Sequence, residues 1–105
     1  MFDEKITGFK LLDGSELIAK LDGETDTHYQ LDDAIFWTPV EVAPEKYDIH
    51  FYPVSYGVKM KTGYEHGAVK MELPKIATLF SYEVREEIVA KYSSLISPIV
   101  LASSF

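Results

Sequence analysis

The sequence predicts a small, mainly β domain, a barrel rather than a sandwich, followed by one short C-terminal helix. Short alternating apolar and polar segments are separated by tight-turn signals, and no helical segments alternate with them. Hydrophobic residues make up 47% of the 105 residues, with seven Tyr and six Phe, which suits packed strands. We expect one domain, with the barrel over about residues 5–80, the helix over about 82–94 and an apolar tail over 95–105.

Two Asp-Gly pairs organise the first three predicted strands. A first strand over residues 5–13 ends in an Asp-Gly pair, which is a strong tight-turn signal. The next strand, over 16–22, alternates apolar and polar side chains except at Ile18, and it ends in a second Asp-Gly pair. A third strand over 29–39 then completes a three-stranded meander.

The rest of the chain predicts three shorter strands before the helix. Residues 43–46 are interpreted as a loop, and residues 49–56 as an irregular strand that contains Pro53. Alternation returns over 68–73, and a last short strand is expected over 76–80.

The predicted helix rests on a change of period near the C-terminus. Val84, Ile88 and Tyr92 recur at every fourth position, so they line one helical face. Glutamates precede this stripe and Lys91 lies near its end, which complements the helix dipole.

The charge is acidic but uneven. The net charge is −7, which disfavours general coating of a phosphate backbone. Residues 1–50 carry −8 and residues 51–105 carry +1, while residues 55–75 alone sum to +2. We therefore expect any anion site within 55–75.

Residues 9–21, FKLLDGSELIAKL, resemble the first signature of the Sm and Sm-like proteins. In that family a Leu-x-Asp-Gly turn is followed by an aliphatic, a small and a basic residue and then a leucine. The match continues loosely over 24–34, where Gln30 is nearest to the family's Asn. Residues 73–79, LPKIATL, resemble the strand half of the second signature, but the turn has neither the Arg-Gly nor the Lys-His of family members, and Lys75 is its sole cation.

The resemblance covers roughly residues 5–34 and 68–80, in a layout similar to that of small Sm-like proteins of marine phage origin. It implies a strongly bent, five-stranded Sm-like (SH3-like) barrel whose edge strands pair across subunits. Such pairing closes a homo-oligomeric ring of about five to seven copies and satisfies edge groups that otherwise template aggregation.

The resemblance also implies nucleic-acid contacts at His28, Tyr29 and Gln30, with Lys75 opposite as a phosphate contact. Stacking on an aromatic side chain is worth roughly 1–3 kcal/mol per base, and a ring repeats a weak subsite in every copy. The alternative for Tyr29 is a purely structural place in the core.

A second candidate patch interleaves basic and aromatic residues in a Gly-flanked loop. Its alternative is a solvated hairpin without a ligand. The residues that we assign to this patch are Tyr56, Lys59, Lys61, Tyr64, His66 and Lys70.

Catalysis and metal binding are not predicted. His28, His50 and His66 lack the spacing of metal ligands, and the chain has no Cys. Asp32 and Asp33 are adjacent on a predicted strand, so we expect them to face opposite sides and not to share a proton. No phosphate-binding loop or nucleophile elbow is present in the sequence, so we expect no enzyme, no cofactor and no metal.

The resemblance and the local charge reversal therefore predict a ring that binds single-stranded nucleic acid. RNA is the first expectation and DNA the second, with a role in RNA or DNA processing. The alternative is a structural or adaptor ring that binds protein partners, which the acidic charge and the apolar tail favour. The first residues lack a secretory signal and no apolar run approaches the roughly 20 residues of a membrane span. We expect a cytoplasmic protein without a membrane partner, in the host cell if the chain is of phage origin.

Overall fold

The structure, a computed structural model, describes residues 5–54 and 67–96. Over these ranges the chain is mainly β with one C-terminal α-helix, as predicted. No helix in the described ranges is long and apolar enough to cross a bilayer. The elements are β1 (Lys5–Leu11), β2 (Glu16–Glu24), β3 (His28–Ala43), β4 (Lys46–Tyr52), β5 (Val69–Pro74), the 3-10 turn η1 (Lys75–Ala77), β6 (Thr78–Glu83) and α1 (Glu86–Ile96).

All six strands belong to one antiparallel sheet with the order β4-β3-β2-β1-β6, and β5 also pairs with β3. The residue patterns predicted six strands and the resemblance implied a five-stranded barrel; the described ranges contain six strands, of which β3 is the longest at 16 residues. One edge of β3 carries β2, while β5 and β4 share the other edge along residues 28–34 and 36–43. Within the described ranges β5 and β6 do not pair with each other, so the sheet is open.

Each face of the sheet buries its own core. The inner core contains Phe9, Leu17 and Leu31, and the helix core lies on the opposite face beneath α1. Ile18 belongs to the helix core, which explains why it interrupts the alternation of β2. All members of the predicted stripe are buried in the helix core, but only Ile88 and Tyr92 belong to α1, because Val84 precedes the first residue of the helix.

A bulge in β3 brings Leu31 and Ala34 to the same face of the sheet. Leu31 and Ala34 both lie in the inner core although they are three positions apart, and the pairing register shifts between them. Asp33 occupies the left-handed region at φ 50°, and its carbonyl oxygen accepts a hydrogen bond from the Tyr92 hydroxyl at 2.6 Å. Asp32 and Asp33 thus lie in a bulge rather than in a regular strand.

The predicted turn at the second Asp-Gly pair is wrong, because β2 continues to Glu24. Gly23 pairs with Gln30 beside a register shift, and a side chain at Gly23 would collide with the Gln30 amide. A larger side chain at Gly23 would displace the flexible end of Gln30, and the turn follows over residues 25–27.

Three predicted boundaries also move. β3 passes Pro39 and reaches Ala43, since β2 pairs only as far as Trp37 and leaves one edge of β3 free, where a proline is tolerated. Residues 75–77 form η1, so the last strand is β6 and not 76–80. Residues 82–83 stay in β6 through pairing with β1, and the helix begins at Glu86 and ends at Ile96.

Candidate functional site

Two distant segments meet at one end of the sheet. The β2–β3 turn closes when the Thr25 hydroxyl accepts a hydrogen bond from the His28 N–H at 3.0 Å. The Lys75 N–H, at the start of η1, donates to the Thr27 carbonyl oxygen at 2.8 Å. We call this place the loop junction and define it by Glu24, Thr27, His28, Tyr29 and Lys75.

Lys75 is the cation of the loop junction, and it already has two neighbours. Its ammonium donates to Glu24 Oε2 at 2.5 Å and lies 5.2 Å from the centroid of the Tyr29 ring. Glu24 and Tyr29 are paired across β2 and β3, so the strand register brings the carboxylate to the ring. A cation over an aromatic face is an attractive arrangement, and here a carboxylate also holds it in place.

Tyr29 has both a structural and a surface role. Its ring is half-buried against the inner core and meets the Phe9 ring at 4.9 Å between centroids. Lys75 approaches the same Tyr29 ring. Tyr29 is therefore partly a core residue, as the structural alternative expected. A base would contact its ring only after Lys75 moves away.

His28 and Gln30 flank Tyr29 differently. The His28 ring lies in the loop junction, where its Nδ1 is 2.8 Å from the Thr27 hydroxyl. Gln30 instead lines a separate shallow groove of about 390 Å³ together with Asp22 and Glu72. The structure thus brings together three of the four residues predicted for this site and places Gln30 outside it.

An open cleft of about 580 Å³ borders the loop junction along the ends of β1, β2 and β6. Its apolar part comes from Phe9, Leu21 and Tyr29, and Thr7 and Ser81 add hydroxyl groups. Thr7 is almost fully buried, so the cleft reaches into the edge of the inner core. A ligand at the loop junction has room to extend along this cleft.

Sequence reasoning missed Glu24, although the residue lies inside the segment of loose family resemblance. Its contact with Lys75 depends on the shifted register at Gly23, which no residue pattern indicates. The only feature of the sequence that could have drawn attention to Glu24 is its position two residues after Asp22.

Five of the six residues predicted for the second patch lie outside the described residues, namely Tyr56, Lys59, Lys61, Tyr64 and His66. The sixth, Lys70, is exposed on β5, with its ammonium 3.9 Å from Asp22 Oδ2. Among the residues that the structure describes, no three His, Asp or Glu side chains converge as metal ligands.

Comparison with known proteins adds no assignment. No family model matches the chain, and no curated protein matches it.

Proposed function

We propose that this chain is an Sm-like subunit that forms a homo-oligomeric ring of about five to seven copies and binds single-stranded nucleic acid, RNA before DNA. The observation that carries the proposal is the hydrogen bond from Lys75 to Thr27. It sets side by side the two segments that, by the resemblance, supply the base contacts and the phosphate contact. A role in RNA or DNA processing follows from the same resemblance.

The open sheet supports assembly through β5 and β6. Each strand has a neighbour on one edge only within the described residues, and η1 joins them directly. Large apolar side chains on β6, on η1 and just after β1 are exposed, namely Leu79, Ile76 and Leu12. Pairing of β5 with β6 of the next copy would cover this surface and complete a barrel-like sheet around the ring.

The loop junction supports binding of an unpaired nucleotide. A phosphate competes with Glu24 for the Lys75 ammonium, and movement of Lys75 toward it uncovers the Tyr29 ring for a base. His28 supplies a second ring beside Tyr29. Because each contact is weak, the ring is needed to repeat the subsite.

Fluorescence anisotropy with labelled oligo-U and oligo-A at low salt tests this proposal. The intact protein should bind, and K75M should weaken binding about fivefold or more, since one phosphate contact is lost in every copy. The matched control is K46M, which removes an equally charged exposed residue from the start of β4. Absence of binding up to roughly 100 μM, the weak limit of ordinary non-specific binding, would contradict the proposal.

A specific feature favours the second candidate function, an adaptor ring that binds protein. Beyond Trp37, β3 pairs only with β4, so residues 38–48 project as a two-stranded hairpin. Val42 and Tyr47 are exposed on it. A ring that assembles but purifies with a protein-like 260 to 280 nm absorbance ratio and ignores both oligonucleotides would support this function instead.

A further inference from the structure

A second groove lies on the opposite face of the sheet from the inner core. It runs between β6 and the start of α1 and has a volume of about 320 Å³, at the lower end of the roughly 300–1,000 Å³ usual for small-molecule sites. We call it the helix-side groove and define it by Lys10, Glu16, Trp37, Phe80, Tyr82 and Arg85.

The floor of the groove is fixed by Tyr82. Its ring covers Gly8 so closely that no β-carbon fits there, and its hydroxyl donates to Glu16 Oε1 at 2.6 Å. Lys10 lies 3.6 Å from the other oxygen of the same carboxylate. Burial, followed by the contact with Glu16, raises the pKa of Tyr82, so the hydroxyl stays protonated at neutral pH.

Phe80 and Arg85 are exposed in the groove, and Trp37 is buried at its edge. Phe80 is 56% exposed and meets Tyr82 at a tilt of 59°, which leaves a ring face open. Arg85, the only Arg of the chain, is exposed and forms no ion pair within the described ranges. Trp37 is only 8% exposed, and its buried indole N–H lies beside the Tyr82 hydroxyl oxygen, which can accept from it while the same hydroxyl donates to Glu16.

We propose that the helix-side groove binds a second unpaired nucleotide of the same single-stranded nucleic acid. The base stacks on Phe80 and the phosphate contacts Arg85, next to the buried indole of Trp37. A flat aromatic platform beside a lone guanidinium matches a nucleotide better than an aliphatic ligand. The inference rests on the proposed function, but it uses none of the residues of the loop junction.

Trp37 is the only tryptophan of the chain, so its fluorescence reports directly on this groove. We would titrate the intact protein with adenosine 5′-monophosphate, adenosine and inorganic phosphate while exciting the indole selectively. The monophosphate should change the emission in a saturable way, and the other two compounds should bind more weakly because each lacks one contact. F80A should weaken the response about tenfold, the loss expected for one base stack.

R85Q should weaken the response about fivefold through loss of the phosphate contact, whereas K46M, which removes an exposed lysine at the start of β4, should leave it unchanged. An unchanged emission spectrum of each ligand-free variant controls for folding of the groove. No response to the monophosphate, or a response that survives both F80A and R85Q, overturns the inference.

The anisotropy assay separates this failure from failure of the proposed function. Oligonucleotide binding that depends on Lys75 and ignores Phe80 and Arg85 leaves the proposed function standing without the second subsite. Loss of both oligonucleotide binding and the tryptophan response removes both proposals together.

Discussion

At the scale of single residues, Lys75 is shared between Glu24 and the face of Tyr29. The pair is partly exposed, with side-chain accessibilities of 30% for Lys75 and 52% for Glu24, so its strength is that of a surface ion pair. Glu24 therefore competes with an incoming phosphate for the Lys75 ammonium but does not exclude the phosphate.

E24Q should raise the affinity for oligo-U about two- to fivefold, because exposed ion pairs are worth about 0.2–1 kcal/mol and the freed ammonium meets the phosphate. Anisotropy titrations of wild type and variant measure the change. E72Q is the matched control, since it removes one acidic charge from exposed β5 near the same end of the sheet. Equal affinities for the two variants would mean that Glu24 acts only through net charge.

Tyr92 links the helix to the bulge in β3. Its side chain is fully buried, and its hydroxyl satisfies the Asp33 carbonyl oxygen where the strand departs from regular pairing. Y92F leaves that acceptor without this donor and should lower the free energy of unfolding by about 1–3 kcal/mol in urea denaturation. The exposed hydroxyl at Tyr47 provides the control, and overlapping curves for Y92F and Y47F would contradict this role.

At the scale of elements, α1 is held to the sheet by the helix core and by one charged contact. Lys91 donates to Asp48 Oδ1 at 2.9 Å, which joins the helix to β4. The hydrogen bond from Lys91 and then the Ile49 N–H keep the pKa of Asp48 below its ordinary value of 3.8. The contact therefore stabilises the fold above the unfolded-state pKa and is lost as the pH falls through the lower folded-state pKa.

D48N should consequently lower the melting temperature at pH 7 but have little effect once the pH is well below 3.8. Thermal unfolding followed by circular dichroism between pH 2 and pH 7 measures the difference, as a range that brackets this titration. D26N, in the exposed β2–β3 turn, is the control. A difference between D48N and wild type that is constant with pH would show that the charge of Asp48 is irrelevant.

The elements also show what the sequence could and could not predict. Alternation located β1, β2 and the core residues Leu17 and Ala19, because the period of a strand fixes which side chains share a face. The bulges could not be predicted, since the extra residue at Asp33 and the register shift beside Gly23 are set by how β3 pairs with its neighbouring strands. The Glu24–Lys75 contact and the helix-side groove could not be predicted either, because each is formed by segments far apart in the sequence.

At the scale of the whole molecule, the unpaired edges of β5 and β6 are the main feature that one copy leaves incomplete within the described residues. Ile76 is 86% exposed on the connection between them, and Leu79 is exposed on β6. Charges at an edge are a common way to prevent strands from pairing.

The double variant I76D/L79D should therefore yield a folded monomer, with far-ultraviolet circular dichroism unchanged and a smaller mass in solution. V42D places the same charge on an equally exposed residue of the β3–β4 hairpin and should leave assembly intact. Loss of assembly in V42D but not in I76D/L79D would move the interface to the hairpin.

The mass of the intact protein in solution, measured by size-exclusion chromatography with multi-angle light scattering, tests the central claim most directly. For an 11.9 kDa chain, the proposed ring predicts one species of about 60–83 kDa, which corresponds to five to seven copies. A single species at the mass of one chain would contradict the ring, and with it the repeated weak subsite on which nucleic-acid binding depends.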